Sequence, residues 1–191
     1  KRSFIVFINP VSGTENKNAV RAYLEKKLTE NKMPYQILPA ERSGKYAFLK
    51  SKTDAENITD IIICGGDGTV NQVVSYLRCV QVNIGIIPMG SGNGLALAAG
   101  IPRDFKKAFG IILNGKALFI DAFMINNKFS CMLCGLGLDA QVAHEFASKS
   151  SRGLTTYIQQ SLKHFFKAKP YPFQIRANGA VINTEAFFVS I

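Results

Sequence analysis

The chain has 191 residues, 47% of them hydrophobic and 19% charged, enough apolar material for one sizeable domain or one domain and part of another. Lys and Arg total 23 against 13 Asp and Glu, a formal charge of +10 that suits polyphosphates, anionic lipid head groups or nucleic acid. No apolar run approaches the ~18 uncharged residues of a spanning helix, no signal peptide is evident, and no RGG, RRM-like or aromatic-interleaved stretch favours nucleic acid.

Residues 3–8 are apolar and β-rich, which predicts a strand buried on both faces. They run into the turn sequence Asn9-Pro10-Val11-Ser12-Gly13. A helix follows, with Val20, Leu24 and Leu28 on one face and Lys17, Arg21, Lys26 and Lys27 largely off it. Residues 35–38 predict a second, short strand, and residues 45–57 a weaker helix. Residues 61–64 form a run rich in β-branched side chains, followed by three glycines within four positions. From Val70 the period changes: Val70, Val73, Val74 and Leu77 make one helical stripe. This is strand, glycine turn, helix, with the free N–H groups of the helix start aimed at the turn, where an anion can sit. Asp67 would repel a phosphate by itself, so it is expected to organise donors or to face Mg²⁺ or its waters.

Residues 83–87 predict another strand, ending in Pro88-Met89-Gly90-Ser91-Gly92-Asn93-Gly94. A short helix is expected over 95–99, then an amphipathic one over 103–113 with Phe105, Phe109 and Ile112 inward. Strands alternating with helices predict a doubly wound, mostly parallel α/β sheet. Its strand ends share one edge, and three of them carry small-residue loops there, which makes a phosphate-sized crevice. Gly, Pro and Asn are also ordinary turn formers, and Asn9 to Gly13 alone fits that reading equally well.

After Ala117 the texture changes. Residues 118–125 and 128–134 predict strands around an Asn126-Asn127 turn. The segment from Gly135 to Ala140 leads into a helix, and a second helix is expected over 153–168. Residues 171–177, Asn178-Gly179 and residues 180–191 predict a hairpin. The domain division is therefore 1–117, an α/β domain, and 118–191, the beginning of a β-rich second domain. The chain opens on Lys1 and closes in mid-strand, which predicts a longer natural protein.

Some signals are set aside. Residues 110–117 have Walker A spacing, but Ala117 stands where Ser or Thr is required and a helix precedes it, so a helix stop at Asn114-Gly115 is expected. Cys131 and Cys134 form a C-x-x-C, yet on a strand these positions face opposite sides. Four cysteines are expected as reduced, buried thiols of a cytoplasmic protein. His144 and His164 stand alone on helices and read as structural or solvent-facing.

Taken together, the Asn-Pro-x-Ser-Gly start, Gly65-Gly66-Asp67-Gly68-Thr69-Val70-Asn71, Gly90-Ser91-Gly92-Asn93-Gly94-Leu95-Ala96 and Gly135-Leu136-Gly137-Leu138-Asp139-Ala140 resemble the diacylglycerol kinase catalytic-domain family. That family includes bacterial diacylglycerol kinases and YegS-like, ceramide and sphingosine kinases. The Gly-Gly-Asp-Gly-Thr motif is shared with NAD kinases; the other segments point to the lipid kinase branch. The resemblance implies ATP-dependent phosphorylation of a lipid hydroxyl, of diacylglycerol or sphingoid-base type, with Mg²⁺. It places Asn9, Pro10, Ser12 and Gly13 on nucleotide or phosphate. Gly65, Gly66, Asp67, Gly68, Thr69 and Asn71 would form the central nucleotide loop, with Asp67 catalytic. Gly90, Ser91, Gly92 and Asn93 would flank the nucleoside or phosphates.

Asp139 would lie on the substrate side, and Arg152 is a phosphate partner or a solvated surface arginine. Ala40 and Gln72 stand where family members often carry Thr and Glu. The family's acidic Mg²⁺ loop and its Asp-Gly-Glu segment would follow Ile191, so no metal ligand is assigned here. A lipid substrate, peripheral contact with anionic membrane from the cytoplasm, and no nucleic acid are expected; a homodimer is compatible with this reading. Alternatives of other kinds are an NAD kinase-like nucleotide kinase and a non-catalytic nucleotide- or lipid-binding regulator.

Overall fold

The computed structural model describes residues 2–41, 43–138, 140–141 and 169–191. They divide into two compact units, Lys1–Met132 and Leu133–Ile191.

The first unit is built on four parallel strands, β1 (Phe4–Ile8), β2 (Tyr35–Pro39), β3 (Asp60–Gly65) and β4 (Asn83–Pro88), in the order β2-β1-β3-β4. β1 and β3 are the central pair, and every residue of both is buried. Their side chains alternate between two cores. Ile5, Phe7, Ile61 and Ile63 pack with α2 (Phe48–Glu56) and α3 (Asp67–Ser75) through Leu49, Val70 and Val73. Phe4, Val6, Ile8 and Ile62 pack on the other face with α1 (Lys17–Glu30) and α5 (Phe105–Asn114) through Val20, Leu24, Leu28, Ala108 and Phe109. Each fully buried Ile, Leu or Phe contributes about 2 kcal/mol of transfer free energy. This is the three-layer α/β arrangement that the alternating pattern predicts.

α1 starts at Asn16, whose side-chain oxygen accepts from the backbone N–H groups of Asn18 and Ala19 at 3.0 and 3.1 Å. α5 starts at Asp104, which accepts from the Lys107 N–H at 2.8 Å. It stops at Asn114, as the Asn-Gly pair predicts. Gly115 is not left-handed there, with φ at −78°. It is needed for clearance, because a Cβ would lie 2.5 Å from the Ile111 carbonyl oxygen. α3 begins at Asp67 rather than Val70, so Gly68 is helical and does not have positive φ. The short α4 (Gly94–Ala98) follows β4.

The edge opposite the glycine loops is tied by a buried ion pair. Asp60 is 2% exposed and receives Arg2 through two nitrogens, at 2.7 and 3.1 Å. Thr59 and Asn83 donate to the same carboxylate at 2.6 and 3.3 Å. Burial pushes the Asp60 carboxyl up, but the Arg2, Thr59 and Asn83 hydrogen bonds outweigh it and hold it below the ordinary value. Arg2→Ala is expected to cost about 2 kcal/mol in urea unfolding at neutral pH, since a charged acceptor loses its main donor. A lowered carboxyl stabilises above its unfolded value and loses that contribution as pH falls through its folded value. The gap between variant and wild type should therefore be widest at neutral pH and close in acid. A gap that is constant with pH would refute the assignment.

Several elements differ from expectation. The Asn126-Asn127 hairpin forms, both residues with positive φ as a type I′ turn requires. Its strands β5 (Phe123–Ile125) and β6 (Lys128–Ser130) are only three residues each, and Leu118, Phe119 and Ile120 lie outside them, exposed. Among the described residues no strand pairs with them, and apolar character alone makes no ladder. In the second unit, β8 (Tyr171–Ala177) and β9 (Ala180–Ala186) close on Asn178-Gly179 as predicted. The run then breaks, and β10 (Phe188–Ser190) pairs antiparallel with β7 (Gly135–Gly137). Gly135 to Gly137 is thus a strand, which the sequence reading does not name, and helix follows it from Leu138 as expected. Distant pairing overrides its low β-propensity. The helix expected over 153–168, His144 and His164 lie outside the described residues. All four cysteines are free, but Cys79 is exposed and Cys134 only half-buried.

Candidate functional site

The chain steps from β1 outward to β2, then back across to β3 on the other side. Between β1 and β3 the winding reverses, and the loops leaving their carboxyl ends start from this switch point. The loop after β4 lies beside them.

The first loop is shaped by Asn9. Its backbone N–H donates to the Cys64 carbonyl at 2.9 Å, continuing the β1–β3 ladder. Its side-chain oxygen accepts from the Val11 N–H at 3.0 Å, and its amide donates to Thr69 Oγ1 at 2.7 Å. So Asn9 turns its own loop and joins it to the next one. Pro10 is exposed on the turn, and Ser12 is buried. Gly13 has φ +53°, and a Cβ there would lie 2.0 Å from the Met89 carbonyl oxygen. Lys17 Nζ donates to the carbonyls of Ser12, Gly13 (3.4 Å) and Glu15 (2.7 Å), drawing them to one side of the loop. Burial lowers the Lys17 ammonium's pKa, against a smaller opposing effect of Glu15.

The second loop is Gly65 to Thr69. Gly66 has extended backbone and caps α3 without any side-chain cap. Among the described residues no acceptor takes the N–H groups of Gly66, Asp67 or Gly68. These are the unsatisfied donors of a helix start, with the positive dipole end behind them. Gly65 leaves room for Thr69, whose Cβ would be 2.8 Å from an added methyl. Gly68 is exposed, and an added Cβ would meet nothing within 4 Å.

The third loop, Gly90 to Asn93, abuts the second through bare backbone. A Cβ on Gly90 would lie 2.6 Å from Gly66 Cα. Asn93 is 2% exposed with φ +61°, and its side chain closes on Gly90, accepting from the N–H and donating to the carbonyl at 2.7 Å each. The Asp67 carboxylate crosses to this loop, accepting from the N–H groups of Gly94 at 3.0 Å and Leu95 at 3.3 Å. Ser91 and Gly92 are exposed, and their carbonyls accept from Arg103 Nη2 at 3.3 and 3.0 Å.

The structure thus brings Asn9, Ser12, Gly13, Gly65 to Thr69 and Gly90 to Asn93 onto one sheet edge. Asn71 faces elsewhere. Its amide donates to the Phe129 carbonyl at 3.1 Å and its oxygen accepts from the Cys131 N–H at 3.1 Å, clamping β6 to α3. Asp139 and Arg152 lie outside the described residues. Ala40 is buried and its N–H donates to the Ile8 carbonyl at 3.0 Å. Gln72 lies against Gly44, with an added Cβ there 3.3 Å from its amide. Sequence reasoning missed Lys17 and Arg103, because periodicity treats both as solvated helix-flank cations. Among the described residues no group of three or more His, Cys, Asp or Glu could hold a metal ion, and no helix is long and apolar enough to cross a membrane.

Comparison with known proteins completes the picture. The family model described as "Diacylglycerol kinase catalytic domain" matches residues 3–125. Diacylglycerol kinase of Staphylococcus aureus strain bovine RF122 / ET3-1 is 29% identical over 197 residues, covering 100% of this chain and 62% of that protein. Its counterpart in strain JH9 is 29% identical over 209 residues, with the same shares. A crystal structure of a diacylglycerol kinase from Bacillus anthracis str. Sterne has the same fold, with a TM-score of 0.75 at 22% identity over 99% of this chain and 63% of that one. The chain therefore spans about 62% of the length of the curated relatives it matches.

Proposed function

This chain belongs to the diacylglycerol kinase catalytic-domain family, and from that premise we propose that it is the nucleotide-binding part of a kinase that transfers the γ-phosphate of ATP to a lipid hydroxyl. The observation that carries the reading is the convergence of three glycine-containing loops, packed backbone against backbone and with free N–H groups at the start of α3, on the sheet edge beside the winding reversal. Phosphoryl transfer needs positioning and charge neutralisation more than covalent chemistry. The N–H groups of Gly66, Asp67 and Gly68 would hold phosphate oxygens. Asn9 and Thr69 keep the first two loops in register, and Asp67 fixes the third loop against them. Asp67 is the catalytic candidate because its carboxylate already joins two of the loops, with lone pairs left to orient the acceptor hydroxyl. The substrate-side role of Asp139 and Arg152 belongs to the same proposal.

The described residues do not fit a resident Mg²⁺ site. Asp67 is the carboxylate the loops share, and both its oxygens accept from backbone N–H groups. Mg²⁺ would enter as the counter-ion of the triphosphate. The +10 balance supports peripheral attachment to anionic membrane, where the lipid acceptor resides. The acceptor is of diacylglycerol or sphingoid-base class. Transfer of label from γ-labelled ATP, with diacylglycerol, a sphingoid base and NAD offered in parallel to the full-length protein, tests the reading. Label on NAD alone, or on none, would overturn it.

Gly68 gives a sharper test of the loop. A Cβ there meets nothing within 4 Å, the residue is exposed and its backbone is helical, so a valine should leave the fold intact with a melting temperature within about 2 °C, as for a surface substitution. The branched side chain would fill the space where a phosphate approaches the α3 N–H groups. ATP affinity by calorimetry should fall at least about tenfold, or 1.4 kcal/mol. Unchanged affinity in the folded variant would refute the placement.

A further inference from the structure

The third loop has two anchors that the sequence motif itself supplies. Asn93 ties down Gly90, and Asp67 ties down Gly94 and Leu95. Between them run the peptides joining Ser91 to Gly92 and Gly92 to Asn93. Among the described residues a single group holds these two: Arg103, through one guanidinium nitrogen that reaches both carbonyls. Among the described residues Arg103 has no carboxylate partner. Its neighbour Asp104 is turned to the start of α5 instead.

Both peptides are trans, so each N–H points opposite to its own carbonyl. Because the Ser91 and Gly92 carbonyls face Arg103, the N–H groups of Gly92 and Asn93 face away from it. Among the described residues neither has an acceptor. Adjacent N–H groups turned one way make an anion-binding concavity. We propose that Arg103 is the positioning residue of the third loop: by fixing two carbonyls it keeps the Gly92 and Asn93 N–H groups turned away from itself and free to act as a second set of phosphate donors. This rests on the reading of the loops as a nucleotide site.

Arginine suits the task better than lysine. Its rigid planar fork can span two carbonyls from one nitrogen, while an ammonium on a flexible stem holds its donors less firmly.

The test uses the full-length protein with Arg103→Ala and Arg103→Lys. First, amide NMR spectra without ligand should show the Gly92 and Asn93 resonances displaced in Arg103→Ala, with those of β1 and β3 unmoved. Unmoved Gly92 and Asn93 resonances would overturn the proposal whatever the protein binds. Second, calorimetry with ATP should show affinity reduced about tenfold in Arg103→Ala at an unchanged melting temperature. Lysine should restore part of it. The deficit should persist at about 0.5 M KCl, where an effect of charge alone is screened. Full rescue by lysine, or a deficit that salt erases, would overturn positioning in favour of plain attraction. Absence of ATP binding by the wild-type chain would instead refute the nucleotide reading, while the NMR result still decides what Arg103 holds.

Discussion

Asp67→Asn in the full-length enzyme is expected to lower lipid phosphorylation by about two orders of magnitude or more, the scale on which a positioned catalytic group acts. The structure adds a reason beyond lost charge. Both oxygens of Asp67 accept from backbone donors of the third loop, at 3.0 and 3.3 Å. An asparagine keeps one oxygen and presents an N–H₂ group to the second donor. One hydrogen bond is lost and a donor faces a donor, at a cost of roughly 1–2 kcal/mol. The third loop keeps its Asn93 and Arg103 anchors, so stability should fall only by that amount while turnover falls by far more. ATP affinity measured without metal should hold or improve, because a carboxylate repels phosphate. Melting temperature and phosphorylation rate on the same preparation decide the matter. Near-normal turnover per folded molecule would leave Asp67 a strut and nothing more.

Gly13→Ala is expected to have the largest effect on the fold of the site. The added methyl would sit 2.0 Å from the Met89 carbonyl oxygen and 3.1 Å from its carbon, and both are backbone atoms with little freedom to retreat. The left-handed φ of +53° adds roughly 1–2 kcal/mol for any L side chain. The first loop must back away from the end of β4, pulling Asn9 from Thr69. A loss of about 3 kcal/mol is expected, lowering the melting temperature by roughly 10 °C for a chain of this length. ATP affinity should fall as well, since the first and third loops part. A variant within about 1 kcal/mol of wild type in urea would show that the contact yields at little cost.

The layers of the first unit were legible because they follow from period alone. β1 and β3 are continuous apolar runs, and the stripe of Val20, Leu24 and Leu28 repeats with the helix. The clustering of three loops on one edge follows from parallel strands. What stayed hidden is how the loop residues divide their work. Asn9, Asn71 and Asn93 look alike in the motifs, yet Asn9 bridges two loops, Asn93 closes one on itself and Asn71 holds a hairpin far along the chain. Those partners lie outside any local window. Arg103 was invisible for the same reason: its partners are carbonyls, which carry no sequence signal. The strand over Gly135 to Gly137 was unreadable because two of its three residues are glycine, and only its distant partner makes it a strand.

The sheet order has a consequence for how the molecule is made. None of the four central strands pairs through a tight hairpin: Phe4 finds its partners at Tyr35 and Asp60, and Asp60 finds its other partner at Asn83. The chain must close long loops before any ladder hydrogen bond rewards it, and that entropy comes due first. Until β3 arrives, β1 is a fully apolar segment with both faces and one edge bare, the kind of strand on which nascent chains adhere to one another. The Ile61 to Cys64 segment pairs with both β1 and β4, so the strand that leads into the glycine turn is also the one that joins the two sides of the sheet.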